Sequence, residues 1–68
     1  MNNQDRAESA CKAVERFSDA LDMGDEDDDT RISDLLCNMM HFCDQQGVDF
    51  HDCLERASRN YETEIADE

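Results

Sequence analysis

Apolar residues recur at three- and four-residue steps in three separate stretches of this chain, and polar residues fill the gaps between them. Between residues 5 and 21, Ala7, Ala10, Cys11, Val14, Phe17 and Leu21 follow the i, i+3, i+4, i+7 spacing of one helical face. They fall within about 120° of arc, with Glu8, Glu15 and Asp19 along the other side beside Lys12 and Arg16. This predicts an amphipathic helix over about residues 5–22. Gly24 then reads as the left-handed stop of that helix. The run Asp25-Glu26-Asp27-Asp28-Asp29 has no apolar residue to bury, and Asp29 or Thr30 is expected to cap the next helix.

The second stretch is the most apolar. Ile32, Leu35, Leu36, Cys37, Met39, Met40, Phe42 and Cys43 spread over about 220° of a helix spanning about residues 30–46, more than one packing face needs. Such a helix either sits centrally, touching both others, or offers Met39, Met40 and Phe42 as a homodimer interface. Its polar remainder is a narrow stripe of Asp34, Asn38, His41 and Gln45. Gln46-Gly47-Val48-Asp49 reads as a stop and restart, with Gly47 left-handed and Asp49 as the next cap. Phe50, Cys53, Leu54, Ala57, Tyr61 and Ile65 mark a third helix over about residues 50–65. The chain has no proline, and no stretch alternates at period two. The expected fold is an all-α, three-helix bundle forming one domain over residues 1–68, its last two helices a hairpin.

Charge changes what this bundle can do. Nineteen acidic residues against six basic ones give a net charge of −13. A surface of that sign repels DNA, RNA and anionic membrane, so no direct nucleic acid or membrane partner is expected, and basic proteins are the natural counterpart. No stretch approaches the ~18 apolar residues of a membrane span. The polar start, Met1-Asn2-Asn3-Gln4-Asp5, lacks the basic and apolar regions of a signal peptide, and a cytoplasmic setting is expected.

Candidate chemistry adds little. Cys11, Cys37, Cys43 and Cys53 contain no Cys-x-x-Cys pair, and their places on apolar faces suggest buried, reduced side chains. Aligned from Asp25, a calcium-binding EF-hand loop would need Gly at its sixth position and Glu at its twelfth, where Thr30 and Leu36 stand. His41-Phe42-Cys43 and His51-Asp52-Cys53 look like zinc pairs, but residues two apart on a helix point about 200° apart. His41 with Asp34 or Asp44 has no nucleophile or oxyanion donor beside it. No metal, cofactor or enzymatic activity is expected.

The carboxylates remain. Residues 1–21 carry a net −1 (four acids, three bases), residues 22–29 carry −6, and residues 30–68 carry −6 (nine acids, three bases). Glu8, Glu15, Asp19 and Asp22 share one helix edge that leads into Asp25, Glu26, Asp27, Asp28 and Asp29. Side chains three or four apart on a helix stand ~5–6 Å apart, close to the phosphate spacing of a nucleic-acid strand.

The segments Asp34-Leu35-Leu36, Met40-His41-Phe42-Cys43-Asp44, Gly47-Val48-Asp49-Phe50 and Leu54, Ala57, Tyr61 resemble a pattern in short acidic proteins of phages and bacterial mobile elements. In size and charge the chain is also similar to anti-CRISPR inhibitors, several of which mimic DNA. That resemblance covers about half the chain and implies a bacterial host cell and an inhibitor that occupies a basic nucleic-acid-binding surface. The alternative is a small structural or adaptor protein that dimerises through the apolar face of the second helix.

Overall fold

A computed structural model describes residues 1–67, so Glu68 of the expected domain lies outside it. The protein is an all-α, three-helix bundle: α1 spans Asn3–Ala20, α2 Asp28–Gln46 and α3 Phe50–Ala66. Helix α2 packs against both α1 and α3.

Each start is set by a side chain that satisfies free N–H groups. Asn2 caps α1 in a reciprocal box: its Oδ1 accepts the Asp5 N–H at 2.8 Å, and Asp5 Oδ2 accepts the Asn2 N–H at 3.5 Å. This places the start of α1 two residues before the expected one. Asp49 caps α3 as expected, accepting the Asp52 N–H at 3.1 Å. The cap of α2 is neither Asp29 nor Thr30. Asp27 fills that role, accepting the Thr30 N–H at 2.9 Å, so the helix opens with Asp28 and Asp29 in its positive first turn.

The two helix stops are alike, though one was hidden in the sequence. After α2, Gly47 adopts φ 68° and the Val48 N–H reaches back to the Cys43 carbonyl at 2.9 Å, closing a Schellman-type turn. After α1 the left-handed residue is Asp22, at φ 56°, and not Gly24, which has no positive φ. The Met23 N–H bonds to Ser18 O at 2.8 Å and the Asp22 N–H to Asp19 O at 3.3 Å, both bonds of the Schellman motif. Aspartate tolerates this conformation better than most residues, which is why a glycine two positions away was not needed. Helix α1 therefore ends at Ala20, two residues short of the expected 22.

Packing between the helices is sparse. Among the described residues only Ser18 (1% exposed) and Cys43 (8% exposed) are buried. Val14, Phe17, Met23, Leu35 and Phe50 are half-buried, and Leu36, Met39, Leu54 and Tyr61 are exposed. The expectation that all four cysteines are buried fails for three: Cys11, Cys37 and Cys53 are exposed, and all four are free thiols. Three short helices joined by tight turns make a flat body, 37 × 29 × 17 Å, with too few layers to enclose its own apolar faces. The ring closes where α1 begins and α3 ends. There Asn3 Nδ2 donates to the Glu64 carbonyl at 3.2 Å, and Arg6 Nε lies 3.5 Å from Glu64 Oε2.

Candidate functional site: the acidic connection and the face of α2

Helix α1 and the turn that follows it position the acidic residues. Glu8, Glu15 and Asp19 lie exposed along α1. Asp22 does not continue their row, because the chain has already left the helix and reversed there. The expected edge thus divides into three helical carboxylates and a separate group on the connection.

Within that connection the carboxylates do different work. Asp27 is the α2 cap, and hydrogen bonds from Thr30 hold its carboxyl below the usual carboxylate range. Asp28 pairs with Arg31 Nη2, and this bond holds the guanidinium firmly charged. Asp25, Glu26 and Asp29 are exposed, and their carboxylates have no ion pair or hydrogen bond among the described residues. Asp22 is likewise exposed with no partner for its carboxylate among the described residues, so four residues carry the free negative charge of the segment.

Arg31 joins the connection to α1. Its Nη1 lies 3.4 Å from Ser18 Oγ, its Nε is buried without a partner, and its side chain is 21% exposed. The sequence pattern overlooked Ser18, yet the residue falls at i+4 from Val14 and i+7 from Cys11, inside the α1 apolar arc. Its small volume lets the start of α2 approach α1. Beside this crossing is a cleft of about 270 Å³ lined by Ala7, Ala10, Cys11, Val14, Asp28, Arg31 and Ile32. Cys11 Sγ lies 3.5 Å from Glu15 Oε1, and that carboxylate pushes the thiol up, keeping it protonated and a poor nucleophile.

The polar stripe of α2 is intact. Asp34, Asn38, His41 and Gln45 are all exposed, at steps that place them within about 60° of each other around the helix. Across from it, Met39 (43% exposed), Met40 (43%), Ile32 and Leu36 are open to solvent, and Phe42 (61%) borders the stripe about 40° from Asn38. Among the described residues no three His, Cys, Asp or Glu side chains converge to hold a metal ion, and no helix is long and apolar enough to cross a membrane.

Two surfaces therefore stand out: an acidic connection whose free charges are Asp22, Asp25, Glu26 and Asp29, and a half-exposed apolar face on α2. Comparison with protein-family models, curated proteins and solved structures finds no match to this chain.

Proposed function

We propose that this protein is a non-enzymatic binding module that presents its acidic surface to a basic nucleic-acid-binding partner and blocks nucleic acid from that surface. The observation that carries the reading is the charge of residues 22–29. They hold a net −6, and the carboxylates of Asp25, Glu26 and Asp29 are left unpaired on an exposed turn. Self-repulsion on this scale costs stability in a small domain, and a complementary cation surface would recover it. The glutamates and Asp19 along α1 extend the negative surface, and the α2 stripe of Asp34, Asn38, His41 and Gln45 provides a second, polar contact patch. The inhibitor type this matches is the nucleic-acid mimic, including anti-CRISPR proteins, in a bacterial cytoplasm.

Competition tests this reading. Fluorescent DNA is bound to CRISPR effector complexes and to other basic bacterial nucleic-acid-binding proteins, and the chain is titrated in at low and high salt. Displacement is expected at low salt and should weaken steeply as salt rises. The variant Asp25→Lys/Glu26→Lys/Asp29→Asn spares the Asp27 cap and the Asp28–Arg31 pair and puts no cation in the first turn of α2, so it changes the charge while keeping the helix start. It should displace DNA about tenfold less well or worse. Displacement equal to wild type by that variant would refute the assignment of the acidic connection.

A further inference from the structure

The apolar face of α2 carries a separate conclusion, which does not rest on the acidic surface. The chain exposes 5657 Å². A compact monomer of its 7.8 kDa mass exposes about 4,400 Å². The excess, roughly 1,300 Å², exceeds the ~800 Å² each partner gives up in a standard interface and falls within the range of obligate homodimers. Its apolar share includes Leu21, Leu54, Tyr61 and Ile65 but is densest on α2, where Ile32, Leu36, Met39 and Met40 are each more than two-fifths exposed and Phe42 more so, and Cys43 is the only buried apolar residue described.

We propose that a second copy of this chain covers that face, α2 against α2 in an antiparallel two-fold arrangement centred on Leu36, Met39 and Met40. The missing burial belongs to the fold itself, because a single buried apolar side chain does not make a core. Whatever supplies the rest must be present whenever the chain is folded. Only another copy of the chain meets that condition without exception, and obligate homodimers commonly have no stable folded monomer.

Charge decides the direction. The acidic run at 22–29 ends where α2 begins, and α2 is 19 residues long. In an antiparallel pair the two runs lie at opposite ends, about 28 Å apart. That is more than three Debye lengths at physiological salt, where each is about 8 Å. A parallel pair would set the two runs side by side. The midpoint of α2 is Cys37, so a two-fold axis there brings Leu36 against its own counterpart and Met39 and Met40, all within one turn of the axis, against Leu36 of the second copy. Cys37 itself is exposed at the edge of this face.

The full chain is examined by sedimentation equilibrium over a range of concentrations at low and high salt. A species of twice the chain mass is expected, and its association should tighten as salt screens the −13 charges. Binding to a basic partner responds to salt in the opposite sense, so the two readings fail separately. Its thermal midpoint should rise with protein concentration. Met40→Asp enters an isologous interface twice and should weaken association by about a hundredfold or more, while Met40→Leu preserves it. A short bis-maleimide applied to the Cys11→Ser/Cys53→Ser chain should link the copies through Cys37, a readout independent of whether the aspartate variant folds. A chain that stays monomeric at every salt concentration, with unfolding independent of its own concentration, overturns the proposal, as does a foreign protein being required to complete the fold. A dimer undiminished by Met40→Asp, or not linked through Cys37, overturns the α2 geometry.

Discussion

The two glycines of this chain should respond to the same substitution with opposite signs. Gly47 sits at φ 68°, a left-handed conformation that disfavours a side chain by about 1–2 kcal/mol. A Cβ built there meets nothing within 4 Å, so the cost of Gly47→Ala is conformational and not steric. The restriction alanine imposes on the unfolded chain offsets about 0.4–1 kcal/mol, leaving a net loss of roughly 1 kcal/mol. Gly24 also faces open space, but its φ is not positive. Gly24→Ala therefore keeps only the unfolded-chain effect and should stabilise the protein by about 0.4–1 kcal/mol. Gly47→Asn should lose less than Gly47→Ala, because asparagine tolerates the left-handed region. The assay is urea unfolding followed by far-UV circular dichroism at one fixed protein concentration, so that mass action does not enter. With a slope near 1 kcal/mol/M, expected for a small domain, the two alanine variants should differ by more than about 1 M in midpoint. Midpoints that move in the same direction would refute the reasoning and return the first helix stop to Gly24.

Two further substitutions probe the crossing of α1 and α2. Ser18 is 1% exposed, and Ser18→Leu should overpack that contact and destabilise by about 1–3 kcal/mol, whereas Ser18→Ala loses only the long Arg31 hydrogen bond and should cost about 0.5–1.5 kcal/mol in the same urea assay. Asp27 should confer a pH dependence, because its folded pKa is depressed by the Thr30 hydrogen bonds. Its contribution is complete above the unfolded carboxylate pKa and is lost as pH falls through the lower folded value. The stability gap between wild type and Asp27→Ala should hold at neutral pH and shrink in acid; a gap of constant size down to strongly acidic pH would exclude the cap.

Much of the fold was readable residue by residue because the signals are local. The three apolar stretches specify the three helices, and Gly47 and Asp49 mark a stop and a start whose geometry depends on residues within one turn. The departures at α1 and α2 were local as well, and they involved aspartates with competing roles. Asp22, Asp27, Asp28 and Asp29 all stand where a cap or a left-handed turn could form, and composition does not rank them. The chain chose Asp22 for the turn and Asp27 for the cap, and so freed Asp25, Glu26 and Asp29. Burial was the hardest to foresee. Cys11 and Cys53 lie on apolar faces, but a face is buried only where another helix meets it.

The acidic charge and its concentration between the first two helices are properties of the sequence alone, because charge adds along a chain without regard to shape. So is the width of the α2 apolar arc, which follows from helical periodicity. Asp27 and Asp28 take their partners, Thr30 and Arg31, from three residues along the same helix start, whereas tertiary structure decided that Arg31 lies against Ser18. Tertiary structure also decided that the arc stays largely open, since its burial depends on how closely three short helices can approach one another, a distance that no single helix records in its own pattern.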